Sequence, residues 1–202
     1  LKIANLWVKK KNGTLVKNNP GPAVDVNLLP NVDFTIFEDD RFYRPMRGKV
    51  YRMLPIETHR GCPYTCTFCN SPAQNILYGD VTKSKFFRKK SVEKIREELI
   101  SFRDNWKGEY VFFWADTFLA WSPKEFDEFC EMYEDIRLPF YFNTRPETIT
   151  HDKIKKLAEV GLHRIAFGLE HGNEEFRKKQ LRRAFKNKDI IEKLRIPHQY
   201  GV

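Results

Sequence analysis

No apolar run in this chain of 202 residues approaches the roughly 20 needed to span a bilayer. The longest candidates, "YVFFWA" and "LPFYF", are short enough to read as buried strands. No charged-then-apolar leader opens the chain, so nothing in it directs export, and a cytoplasmic location is expected. An initiator methionine is missing too. "LKIANLWVKKKNGTLVKNN" begins as if in mid-domain and "RIPHQYGV" stops as abruptly, so the expectation is an excerpt of a longer protein. No repeat of solenoid type is visible. The composition, 41% hydrophobic and 14% aromatic, excludes a disordered chain and suffices for the core of one ordinary domain.

Cysteine is scarce, with four residues in all, and three of them fall in "ETHRGCPYTCTFCNSP" as Cys62, Cys66 and Cys69. The spacing is C-x3-C-x2-C with no fourth cysteine nearby. A disulfide set fits poorly, because three close thiols leave one unpaired. Zinc wants four protein ligands, usually in two short pairs, and His59 would have to serve as the fourth. Soft thiolates also suit iron–sulfur clusters. Three of them on a four-iron cluster leave one iron open, which marks chemistry and not electron storage. Cys130 sits on the apolar face of a helical pattern and reads as a small core residue.

The formal charge is +9, with dense basic runs in "KSKFFRKK" (83–90) and "RKKQLRRAFKNK" (177–188). Such runs read first as solvated faces, with nucleic acid or an anionic substrate the sharper alternative; charge alone does not separate them.

Along the chain, the first 49 residues read as a connector, with a hairpin signal at Asn12-Gly13 and then Pro20, Gly21, Pro22 and Pro30 imposing an extended path. From residue 50 a strand–helix rhythm begins. Strands are expected over 50–59, 109–116, 138–145 and 163–172, and helices over 91–104, after Ser122, after Thr150 and over 173–182 and 187–195. Ser122, Pro123 and Glu125 form a capping box. Four strand–helix units imply an α/β fold with a parallel sheet, a barrel or an open doubly wound sheet, whose ligands gather at the carboxyl ends of the strands. The cysteine loop, Asp116, Asn143 with Arg145, and Glu170 each follow or end a strand, all on that rim. His171 reads as a turn residue, and His59 as a strand-end residue.

Cys62-x3-Cys66-x2-Cys69, directly after a first strand and with Phe68 before the last cysteine, closely resembles the radical S-adenosylmethionine (SAM) enzymes. "VFFWADTF" and "FGLEHGNEEFRKKQLRR" look like the second-strand and fourth-strand segments of that family's cobalamin-linked branch, and "VDVNLLPNVDFTIF" like its interdomain linker. The resemblance implies a partial radical SAM (β/α) barrel over 50–202, with about four of six units, preceded over 1–49 by a linker and the tail of a cobalamin-type domain. It implies a [4Fe–4S] cluster on Cys62, Cys66 and Cys69, whose open iron is chelated by SAM, and reductive cleavage of SAM to a 5′-deoxyadenosyl radical. By the same match Asp116 stands near the methionine amino group, Glu170 faces the ribose, Arg183 and Arg145 face the carboxylate, and Phe68 lies against the adenine. Cobalamin-dependent methyl transfer to an unactivated carbon is the reaction implied, with a small-molecule substrate and a reductant such as flavodoxin or ferredoxin; nucleic acid is not favoured. A tRNA-acting methylthiotransferase and a plain zinc or iron–sulfur module are the alternatives.

Overall fold

Asn12-Gly13 does turn the chain. In the computed structural model, which describes residues 2–202, it joins β1 (Trp7–Lys9) to β2 (Leu15–Lys17), antiparallel with Val8 opposite Val16. Gly13 takes φ +83°, and the Asn12 side chain accepts from the Thr14 N–H at 3.1 Å. The connector that follows is anchored, not loose. Asp25 and Asp33 cap short 3-10 turns, and Phe34 and Phe42 pack edge-on against each other (5.8 Å) and against Trp106 (5.4 and 6.4 Å).

The sheet begins inside the segment read as connector. β3 (Tyr43–Met46) turns through Arg47 and Gly48, with φ of 51° and 75°, into β4 (Lys49–Glu57). Two residues with positive φ make the tight turn whose twist matches antiparallel strands. The sequence concealed β3 because Pro45 argues against a strand; at a sheet edge, proline is tolerated. Beyond β4 come the short β5 (His59–Arg60), α1 (Ser71–Thr82), β6 (Arg88–Lys89), α2 (Val92–Asn105), β7 (Tyr110–Trp114) and α3 (Pro123–Tyr133). β8 (Phe140–Thr144), α4 (His151–Val160), β9 (Leu162–Phe167), α5 (Glu174–Lys179) and α6 (Asn187–Gln199) complete the order. β5 and β6 pair antiparallel around the cysteine loop.

The main sheet runs β3-β4-β7-β8-β9, parallel except at the β3 edge, and forms a partial (β/α) barrel. The strands at 49–57, 110–114, 140–144 and 162–167 stand where four were expected, the last ending earlier because the chain turns away at Gly168. Alternation sorts their side chains. Leu54, Ile56, Val111, Phe113, Phe140 and Phe142 face the helices and meet Leu99, Phe129, Tyr133 and Leu157 in one core. Each such side chain fully buried contributes about 1.5–3 kcal/mol. On the other face Phe112 and Tyr141 stack at 4.4 Å, with Trp114 beside them at 5.7 Å from Phe112.

Helix starts follow their caps. Ser122 accepts from the Glu125 N–H while the Glu125 carboxylate accepts from the Ser122 N–H at 2.8 Å; Ser91 and Thr150 cap α2 and α4. Gly161, at φ +122°, ends α4 where a Cβ would stand 2.9 Å from the Leu138 carbonyl. Helix α1 escaped the sequence reading. It has no apolar stripe, leaves Ile76, Leu77 and Val81 exposed, and buries only Ser71.

Candidate functional site

Parallel strands deliver their loops to one rim, and there a cavity of about 380 Å³ collects all eight residues that the resemblance assigns to the cluster and SAM. Cys62, Cys66, Phe68 and Cys69 come from the loop after β4, Asp116 from the end of β7, Arg145 from the end of β8, and Glu170 and Arg183 from the segment after β9. Asn143, on the same rim, also lines it. The rim is stitched by single bonds that prolong the ladder: Thr58 N–H to Trp114 O (3.1 Å), Phe118 N–H to Asn143 O (3.0 Å) and Gly168 N–H to Thr144 O (3.1 Å).

All three thiols of the loop are free and each has a polar neighbour, two of which, Thr117 and Ser71, sequence reasoning did not single out. Cys62 Sγ lies 3.7 Å from Thr117 Oγ1. Cys69 Sγ accepts from the Ser71 N–H at 3.4 Å, at the opening turn of α1, where helix N–H groups favour a negative ligand. Buried Cys66 Sγ accepts from Arg145 Nη1 at 3.2 Å. Burial pushes the Cys62 thiol up, against bonds from the Tyr64 backbone and Thr117. A ring of soft donors lining a cavity, with N–H and O–H groups beside their sulfurs, is chemistry that fits an iron–sulfur cluster. Among the described residues no three His, Cys, Asp or Glu side chains converge around a single-ion position. His59 is not among the cavity's residues: it is 2% exposed, its Nδ1 is bonded to Thr58 Oγ1 at 2.8 Å, and its ring packs on Trp121. Cys130 lies between α3 and α4, with its thiol pushed up to about 12 by burial.

In the same lining, Arg183 is 3% exposed and donates to Glu170 Oε1 at 2.9 Å and to the Gly168 carbonyl at 2.7 Å. Its Nε has no partner among the described residues, leaving one donor for an anion. Glu170 sits at φ +65°, a conformation rare outside glycine, which turns its carboxylate back over Gly168. A side chain at Gly168 would displace that carboxylate: a Cβ there would stand 2.5 Å from Glu170 Oε1. The arrangement is secured from behind by Arg177, 1% exposed, which donates to the carbonyls of His171 (2.6 Å) and Phe185 (3.0 Å) and to Asn187 Oδ1 (2.6 Å). Thr67 ties the cysteine loop to the same segment through the Gln180 and Leu181 carbonyls. His171 is a turn residue as read, accepting from the Asn173 N–H at 3.0 Å. Asp116 is free of ion pairs among the described residues; desolvation at the cavity wall, with the Glu57 charge behind it, pushes its carboxyl up. Phe68, 53% exposed, stands at the cavity mouth.

The family model of the Radical SAM superfamily matches residues 56–202. The chain belongs to the radical SAM superfamily. Among curated relatives, an uncharacterized methyltransferase from Pyrococcus horikoshii is 26% identical over 163 residues, covering 80% of this chain and 33% of the relative. The bacteriochlorophyllide d C-12(1)-methyltransferase of Chlorobaculum tepidum is 24% identical over 136 residues, covering 66% and 28%. This radical SAM chain thus spans about a third of the length of the curated relatives it matches. Among solved structures, the radical SAM methyltransferase TsrM of Kitasatospora setae, with cobalamin and a [4Fe–4S] cluster bound, superposes with a TM-score of 0.56 at 15% identity, over 75% of this chain and 30% of that one. The same enzyme with tryptophan and a SAM analogue gives a TM-score of 0.57, also at 15% identity, over 74% and 29%. At that identity the likeness establishes the fold, a radical SAM partial barrel.

Proposed function

We propose that the protein to which this chain belongs is a radical SAM enzyme that transfers methyl groups to carbon with the help of cobalamin. The observation that carries the reading is a cavity at the carboxyl ends of the parallel strands whose lining brings three free thiols together with Asp116, Glu170 and Arg183. Cys62, Cys66 and Cys69 would hold the [4Fe–4S] cluster, with SAM on its open iron. Bound there, cluster and SAM would supply reductive cleavage of the sulfonium and the 5′-deoxyadenosyl radical.

The remaining work falls to side chains of this chain. Asp116, an acceptor with no competing cation, would receive the methionine amino group. Arg183, neutralised only in part by Glu170, would take the carboxylate through its unpartnered Nε. Glu170, on the open side of that pair, would accept from the ribose hydroxyls, and Phe68 at the mouth would cover the adenine and keep water out. Residues 1–49 would be a linker and the tail of a cobalamin-binding domain, and 50–202 the greater part of the barrel. The methyltransferase relatives and the cobalamin in the TsrM structure support this part of the reading. The substrate would be a small molecule, and a flavodoxin or ferredoxin would be the electron donor.

The chain, reconstituted anaerobically with ferrous iron and sulfide, should take up iron and inorganic sulfide together and show the broad visible charge-transfer absorbance of a cluster. It should lose both when Cys62, Cys66 or Cys69 is changed to Ser and keep both in Cys130→Ser. One zinc per chain with no sulfide would refute the reading.

A further inference from the structure

The three thiols are not equivalent. The Thr117 hydroxyl near Cys62 already donates to the Asp116 carbonyl at 2.8 Å, so its one proton is shared. Cys69 has the neutral Ser71 N–H, and the Ser71 hydroxyl at 3.3 Å. Cys66 alone, buried, faces a full positive charge, the Arg145 guanidinium at 3.2 Å. Arg145 is 9% exposed, and its guanidinium is bracketed on two more sides. Its carbon lies 3.8 Å from the centre of the Tyr64 ring, which belongs to the cysteine loop itself, and Nε and Nη2 are ion-paired with Glu147, in the turn after β8. The fork that a second carboxylate would need is therefore already filled by Glu147.

We propose that Arg145 is a positioning residue that sets the reduction potential of the cluster through a charged N–H···S bond to Cys66, and is not a ligand of the SAM carboxylate. The inference rests on the cluster reading above. Reduction places an added negative charge on the cluster and its sulfur ligands. A buried guanidinium at one sulfur stabilises that reduced state more than the oxidised one, because hydrogen bonds to sulfur and local charge set such potentials. The Tyr64 face and Glu147 keep the fork from swinging into the cavity.

The test is a mediated redox titration of the reconstituted full chain, followed by the electron paramagnetic resonance signal of the reduced cluster. Arg145→Met should retain iron and fall in midpoint potential by about 59 mV or more, the value of a tenfold loss of preference for the reduced form in a one-electron couple. Arg145→Lys should fall between, Thr117→Val should move the potential less, and SAM affinity should be unchanged in all three. An unmoved potential in an Arg145→Met protein that holds its cluster overturns the proposal, and weaker SAM binding with an unmoved potential returns Arg145 to the carboxylate. Should Arg145→Met take up no iron, Tyr64→Leu, which loosens the guanidinium and keeps its charge, decides the matter by the same readout. A wild-type chain that binds no cluster overturns the underlying reading and this inference with it.

Discussion

Acid should destabilise this protein through one histidine before its carboxylates come into play. His59 is 2% exposed, its Nε2 has no partner among the described residues, and burial, reinforced by the Lys89 charge and opposed by Glu125, lowers its pKa from 6.5 to about 3. The unfolded chain binds a proton there below pH 6.5 and the folded chain does not until pH 3 is near, so stability rises with pH across that window and is lost as pH falls through it. At about 1.4 kcal/mol per pH unit, the step from pH 7 to pH 5 removes about 2 kcal/mol, a sizeable share of the about 5–15 kcal/mol that holds a domain together. The carboxylates with lowered pKa, such as Glu125 at about 2, lose their contribution between 4.5 and 2, below that range. The assay is urea unfolding of the metal-free chain at pH 7 and pH 5, in wild type and in His59→Phe, which keeps a ring against Trp121 and cannot titrate. The variant should be the less stable at pH 7, since it leaves Thr58 Oγ1 without its partner, yet lose much less than wild type on acidification. His163, whose pKa burial also lowers, adds a slope of the same sign to both proteins. Equal losses in the two proteins would refute the reasoning.

Three other outcomes follow from distances already given or from nearby packing. Gly168→Ala puts a methyl 2.5 Å from Glu170 Oε1 and 3.4 Å from Arg183 Nη1, both at the ends of side chains. It should weaken SAM binding, measured by equilibrium dialysis, by about tenfold while the melting temperature moves little, because a shift of about 1.4 kcal/mol suffices. Gly108→Ala brings a Cβ 2.0 Å from the Phe102 ring in the core, and thermal unfolding should report a loss of about 1–3 kcal/mol or more. Lys90 and Glu98, 5% and 7% exposed, pair at 2.7 Å, so Lys90→Met strands a buried carboxylate and should lose about 3–5 kcal/mol in urea unfolding, most of it recovered in Lys90→Met with Glu98→Leu.

The residues themselves determined the parallel strands, the helices with polar caps, the hairpin at Asn12-Gly13 and the rim on which Cys62, Asp116, Arg145 and Glu170 gather. All of these rest on short-range physics: period-2 and period-3.6 patterns, side-chain caps at Ser91, Ser122 and Thr150, and one cysteine spacing with few chemical uses. Helix α1 was illegible because it has no buried apolar face, and β3 because Pro45 is admissible only at an edge that the sequence does not reveal. Tertiary structure alone decided where the charges point. Arg145 and Arg183 look alike in sequence, yet one is held against a thiol by Tyr64 and Glu147 and the other against Glu170 and a glycine carbonyl. Those partners come from loops far apart in the chain, as Thr67 does when it bonds to the Gln180 carbonyl. Such pairings have no local signature, because contacts between strand-end loops are set by the register and curl of the sheet that carries them.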